Sequence, residues 1–224
     1  GIISDLKDAG LLIGQKPITH PVNVHDKCGT ELEILKTKQW FIKILENKES
    51  LVKAADKINW YPEHMKNRYV NWVENLSWDW CISRQRHFGV PFPVWSCKKC
   101  KTIMLADKSD LPIDPLADQP KKSCKCGSKE FEAEKDVMDT WATSSMTPQI
   151  ITNWADKGKY DVDFRKMYPV SLRPQAHDII RTWAFYTIVR GIYNCGQIPW
   201  KDIMISGWVL DPHGSGSGFL PPGG

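Results

Sequence analysis

Apolar positions along the chain recur with two different periods, and the switch between them sets the expected fold. From Pro62 to Leu76 the period is helical. Met65, Tyr69, Trp72, Val73 and Leu76 fall on one face, expected to be core, and Pro62 suits the first helical position. A second helix is expected from about Ile179 to Gly191. Apart from two arginines it is apolar nearly all round (Ile179, Ile180, Trp183, Ala184, Phe185, Ile188, Val189), the pattern of a buried helix. Extended runs flank it at Tyr168–Pro174 and Lys201–Gly207, with the polar Gln175-Ala-His-Asp178 after the first. Strand, helix, strand is a βαβ unit, and open α/β sheets bind nucleotides at the carboxyl edge of such strands. Weaker signals predict a helix over Ser4–Leu12 interrupted by Gly10, then an extended connector over Lys16–Pro21. A strand over Ile34–Phe41 should lead into a helix, and Thr147-Pro148 should start another with the threonine as cap.

Composition narrows this only slightly. Of 224 residues, 42% are hydrophobic and 25% charged, as in an ordinary globular protein long enough to bury a real core. No run approaches the ~18 apolar residues needed to span a bilayer, so no membrane partner is expected. No secretory signal is read at the start, where residues 1–20 look cut from something longer. A net charge of +4 permits contact with nucleic acid without pointing to it. Eleven tryptophans suggest a packed core or a stacking surface.

The seven cysteines bring in chemistry. An odd number without a secretory signal argues against a disulfide framework and for metal in a reducing cytoplasm. Cys97-Lys-Lys-Cys100 and Cys124-Lys-Cys126-Gly127 are two close thiol pairs joined by a polar loop, the pattern of a zinc ribbon. Four thiolates leave no open position, so Zn2+ held there is structural, and it supplies much of the folding free energy of so small a module. The other reading is four reduced thiols without metal. His25 and Cys28 also have ligand spacing but make only half a tetrahedral site; the alternative is a chance pair beside the turn at Gly29.

The stretch from Trp78 to Trp95 sets Trp78, Trp80, Phe88, Phe92 and Trp95 around Arg84, Arg86 and His87. Flat rings bury area or stack a nucleotide, and arginine reads phosphate or stacks on bases. Composition alone is equally content with a tryptophan-rich core corner. Its Ile82-Ser-Arg-Gln85 segment resembles that of valyl-tRNA synthetases, closest to the archaeal-type enzymes. Asp136-Val-Met-Asp-Thr-Trp141 and Arg173-Pro-Gln-Ala-His-Asp-Ile-Ile-Arg-Thr-Trp183 extend the likeness in the right order. The resemblance runs from about residue 1 to Gly214. It implies an α/β fold: the second half of a Rossmann-type class I synthetase catalytic domain, with an inserted zinc ribbon.

In that family valine's carboxylate attacks the α-phosphate of ATP, giving valyl-adenylate and pyrophosphate, and the acyl group then passes to the 3′ end of tRNA(Val). No protein nucleophile is needed, so catalysis is positioning and charge stabilisation, with Mg2+ accompanying ATP. Carried over residue by residue, the resemblance implies that Trp141, Ile179 and Trp183 line the valine pocket. Asp178 would bond the ATP ribose, with Gln175 and His177 beside the phosphates and carboxylate. Ser206, Gly207, Trp208 and Val209 would read adenine, and Arg84, Gln85 and Arg86 would meet the tRNA 3′ end.

The resemblance also implies what to look for and not find. The His-Ile-Gly-His type motif belongs to an N-terminal half of the catalytic domain, taken here as a separate partner. The Lys-Met-Ser-Lys-Ser loop is due where Gly214-Ser-Gly-Ser-Gly218 reads as an engineered linker. The expected organisation is a connector and helical part over 1–95, the ribbon over 96–135, the nucleotide- and valine-binding half over 136–214 and a tail over 215–224. Such a chain is expected to be cytoplasmic and inactive by itself. Two rivals remain: a non-enzymatic zinc-ribbon RNA-binding module, and an engineered fragment that complements its missing half.

Overall fold

The computed structural model describes residues 1–25, 28–155 and 161–207. It divides into two compact units, 1–38 and the chain from Gln39 onward.

In the first unit, α1 (Ile2–Asp8) buries no side chain. Gly10, at φ +67°, ends it in a left-handed cap: its N–H donates to Lys7 O at 3.0 Å and the Leu11 N–H to Leu6 O at 2.9 Å. The helix therefore begins two residues before the predicted Ser4 and stops short of Leu12. Further on, Val24 and Glu31 form an antiparallel bridge around a turn in which the Gly29 N–H donates to His25 O. Gly29 has φ +68°, where a side chain would be strained.

The second unit opens with β1 (Phe41–Ile42), a 3-10 turn over Leu45–Asn47, α2 (Lys48–Asp56), β2 (Asn59–Tyr61) and α3 (Met65–Glu74). The predicted strand over 34–41 shrinks to its last residue and the next, because β1 pairs with β3 (Trp80–Cys81) and nothing pairs residues 34–40. Tyr69 and Val73 are fully buried on the predicted face of α3. The helix starts three residues later than expected, since Pro62 lies in a preceding turn and its carbonyl accepts from the Met65 N–H at 3.1 Å.

Beyond β3 come β4 (Ser83–Arg84), β5 (Val94–Cys97), β6 (Ile103–Leu105), β7 (Phe131–Ala133) and β8 (Val137–Met138). β5 is the centre of a three-stranded antiparallel sheet in the order β6-β5-β7, and β4 pairs with β8. Then follow α4 (Thr140–Ser144), α5 (Thr147–Ile151), α6 (Asp161–Met167), β9 (Val170–Ala176), α7 (Phe185–Cys195) and β10 (Trp200–Ser206). Pro148 sits in the first turn of α5 as predicted. Thr147 is not the cap: its hydroxyl donates back to the Ser144 carbonyl and Met146 takes the cap position.

The core is built on a parallel sheet in the order β2-β10-β9. Trp200 and Ile203 of β10 are fully buried, and they join Leu51, Tyr69, Val73, Phe185 and Ile188 of α2, α3 and α7 in one cluster. Each such side chain contributes about 1.5–3 kcal/mol over its exposed state. The predicted β-helix-β path is present, in register from Val170↔Trp200 to Ala176↔Ser206. Its helix has an irregular start, a 3-10 turn over His177–Ile179 and a π-helical turn over Ile180–Ala184. Gly196, at φ +70°, terminates it. Among the described residues no helix is long and apolar enough to cross a membrane.

Candidate functional site

β9 and β10 are parallel neighbours, so their carboxyl ends lie side by side, and the residues following them form one edge. Alternation along β9 buries Arg173, Gln175 and His177 while leaving Leu172 and Pro174 exposed. His177 ties the two strand ends together: Nδ1 lies 3.4 Å from Ser206 O and Nε2 3.1 Å from Asp178 Oδ1, so both ring nitrogens face acceptors. Asp178 is half exposed at this edge, with Ser206 and Gly207 open beside it. Gln175 donates to Ala176 O at 3.3 Å, yet its buried Oε1 has no partner among the described residues. Trp208 and Val209 lie outside the described residues.

The wall beside this edge comes from α4 and the π-helical turn. Asp139 caps α4, accepting from the Trp141 N–H at 3.2 Å, and so fixes the start of the helix that carries Trp141. The π-helical turn carries Trp183, whose Nε1–H donates to Ser144 O at 3.0 Å, joining the two segments. Arg173 lies against the Trp183 ring, its guanidinium carbon 2.9 Å from the centroid and 5.1 Å from that of Trp200. Burial lowers the Arg173 pKa to about 9, and its Nε and Nη2 find no acceptor among the described residues. Ile179 is half-buried between the 3-10 and π-helical turns. Trp141, Ile179, Trp183 and Asp178 are thus carried on two short segments that touch.

Sequence reasoning gave no role to Arg173, Asp139 or Ser144. Asp139 had a legible signal, an acidic residue immediately before a helix start. Ser144 acts through its backbone carbonyl, and the stacking of Arg173 depends on tertiary structure.

The Trp78–Trp95 stretch divides. Trp80, Phe92 and Trp95 are buried, whereas Trp78 and Phe88 are 66% and 85% exposed. Arg84 is committed to the protein: Nη2 donates to the buried Asp139 carboxylate at 3.0 Å, and Nη1 to the carbonyls of Cys81 and Ser83. Gln85 donates to Asp136 at 2.7 Å, while Arg86 is exposed.

Cys97, Cys100, Cys124 and Cys126 converge, their sulfurs all within 4.8 Å of one another. Two turns hold them. One runs from Cys97 to Lys101, and in the other Gly127, at φ +81°, lets its N–H reach Cys124 O. The Cys97–Cys126 and Cys100–Cys124 sulfur separations are 3.6 and 3.4 Å. Four thiolates at ~2.3 Å from a tetrahedral zinc would stand roughly 3.8 Å apart, so the set closes on the ion with little movement and is compatible with zinc. The protein already biases the thiols. The Thr102 hydroxyl and amide bring Cys100 down to about 6, and the Cys100 amide lowers Cys97. The Cys126 amide favours the Cys124 thiolate too, but burial and the neighbouring thiols outweigh it and push Cys124 up to about 12. A cation at the centre removes that conflict. His25 and Cys28 also meet, with Nδ1 3.3 Å from Sγ, and the Thr30 hydroxyl lowers the Cys28 thiol.

Residues 16–216 match the model of the tRNA synthetases class I (I, L, M and V), and the chain belongs to that family. Among curated relatives, it is 53% identical over 213 residues to the valine–tRNA ligase of Methanosarcina mazei and 50% identical over 214 to that of Methanocaldococcus jannaschii. Each match covers 95% of this chain and 24% of the relative, so the chain spans about a quarter of their length. It superposes on the Mycobacterium tuberculosis methionyl-tRNA synthetase solved with methionyl-adenylate at a TM-score of 0.52 and 17% identity. That match covers 88% of this chain and 31% of the other, a likeness of fold.

Proposed function

We propose that this chain is the part of a valine–tRNA ligase that forms the amino-acid wall and the nucleoside edge of the adenylation site, within the second half of a Rossmann-type catalytic domain. The observation that carries the reading is the junction of two parallel strand ends through His177 and Ser206, beside a wall locked by Trp183 on Ser144. The 53% identity to a valine–tRNA ligase supports valine as the amino acid. In this reading Trp141, Ile179 and Trp183 measure the branched side chain, since rigid apolar walls discriminate by volume. Asp178, an acceptor-only carboxylate open at the edge, takes the ribose hydroxyls. Gln175 and His177 orient the reacting carboxylate and phosphate, with Mg2+ arriving on ATP. The strand end from Ser206 through Gly207, Trp208 and Val209 reads adenine.

The work of such a site is positioning. Holding carboxylate and α-phosphate in line converts a bimolecular encounter into a unimolecular step. Arg84, Gln85 and Arg86 serve the 3′ end of tRNA(Val), with Arg86 free to make the contact and Arg84 holding the segment through Asp139. The domains divide as 1–95, a zinc ribbon over 96–135 on Cys97, Cys100, Cys124 and Cys126, the binding half over 136–214, and a tail over 215–224. His25 and Cys28 are half of a second metal site.

Calorimetric titration with a non-hydrolysable valyl-adenylate analogue tests the nucleoside edge. Weak binding is expected in the unmodified chain and none in Asp178→Ala, whose exposed position spares the fold as checked by circular dichroism. Binding untouched by Asp178→Ala would remove the edge from the account.

A further inference from the structure

A cavity of about 170 Å³ lies away from the strand edge, and nothing above uses it. Its walls are flat: Trp72, Trp78, Trp80, Phe185 and Tyr186 supply five aromatic rings, with Asp79 and Arg84 also on its lining. Trp80 and Tyr186 are stacked, centroids 3.9 Å apart at 11°. Trp78, two-thirds exposed, leaves a ring available for stacking. Pockets for drug-sized ligands run to roughly 300–1,000 Å³, so this one has room for a single ring system.

The polar groups decide which ring. Trp80 is buried and Trp72 half-buried, and the indole N–H of each has no acceptor among the described residues. A buried donor left unpaired costs about 1–3 kcal/mol, so an apolar side chain from a partner protein would seal that loss in. A cation fares no better. Arg181 already lies 5.8 Å from the Trp72 centroid and Arg190 5.6 Å from that of Trp80, and a cation accepts no hydrogen bond. Free phosphate is disfavoured too, because the Arg84 charge is paired with Asp139 and Asp79 is a carboxylate on the same wall. Asp79 Oδ1 is held by the amides of Ile44 and Leu45 at 2.7 and 3.0 Å. The remaining class is a flat heterocycle that offers acceptors to two N–H groups and a face to an aromatic ring.

We infer that this cavity receives one unpaired nucleobase, its ring stacked on the tryptophans and its edge accepting from Trp72 and Trp80 Nε1–H. The inference rests on the tRNA reading only for where the base comes from, a single-stranded segment near Arg86.

The test uses the ¹⁵N-labelled chain, whose eleven indole N–H signals are assigned through single Trp→Phe variants. Cytidine is the probe because the strand edge is assigned to adenine. Cytidine should move the Trp72 and Trp80 signals and leave those of Trp141 and Trp183 in place. Trp72→Phe, which keeps a ring and deletes a donor, should weaken cytidine about 2- to 10-fold, the worth of one hydrogen bond. Cytidine 5′-monophosphate should bind no more than about 2-fold tighter than cytidine, since the nearby guanidinium is already neutralised. The inference fails if cytidine leaves both signals still, if choline moves them instead, or if the monophosphate gains a large, salt-sensitive advantage. A valyl-adenylate analogue read in the same spectra reports separately on Trp141 and Trp183, so failure of one site is distinct from failure of the other.

Discussion

Withdrawing metal from the purified chain is expected to unfold residues 94–133 while the parallel-sheet core stays folded. The three-stranded sheet around β5 has few large buried side chains, chiefly Val94 and Trp95, and Cys97 and Cys124 are themselves buried among the ligands. Structural zinc contributes ~10–16 kcal/mol in peptides of this kind, far more than so small a core supplies. The parallel sheet buries Trp200, Tyr69, Phe185 and Ile188 and touches none of the four sulfurs. Elemental analysis should find one zinc per chain. Chelation, or Cys97→Ser, should abolish the near-ultraviolet signal of Trp95, whose indole N–H is held by the Pro115 and Asp118 carbonyls. A chain fully folded over 94–133 without metal would contradict this.

The second large effect is expected at Asp139. Its carboxylate is buried and acts twice, accepting from the Trp141 N–H and from the Arg84 guanidinium. Asp139→Ala removes a helix cap worth ~1 kcal/mol and a charge-assisted hydrogen bond worth ~1.5–3 kcal/mol. Arg84 is about a third exposed and regains water when released, so the pair counts at the low end. The net loss should be about 2–3 kcal/mol in urea denaturation. Asp139→Asn retains a capping oxygen and should lose about half as much. Equal losses in the two variants would show that the ion pair carries the stability and the cap does not. Either change also frees Trp141, so adenylate-analogue affinity should fall in parallel.

How far the fold was legible follows from how each element is held. β9, the buried helix and β10 were readable because burial on all sides leaves an apolar run bounded by polar residues. The cysteine cluster was readable because ligand spacing is local. The strand expected over 34–41 was not, since a short strand exists only where a partner meets it, and β1 meets β3 at Phe41–Ile42 alone. The start of the helix after β9 looked regular in sequence, but its 3-10 and π-helical turns follow from seating His177 against Ser206 and Trp183 against Ser144. Those are contacts between segments 29 and 39 residues apart. Arg84 read as a free nucleic-acid contact because its ion-pair partner, Asp139, stands 55 residues away.

The claim on which the rest depends is that Trp141, Ile179 and Trp183 form a wall fitted to a four-carbon branched side chain. Calorimetric competition between valyl- and isoleucyl-adenylate analogues, identical except for one methylene, measures that fit directly. Overpacking a rigid wall costs ~1–3 kcal/mol, so the valyl analogue should bind on the order of 10-fold more tightly, and Trp183→Ala should erase the difference. Equal affinities in the unmodified chain, or a preference for the larger side chain, would contradict the account.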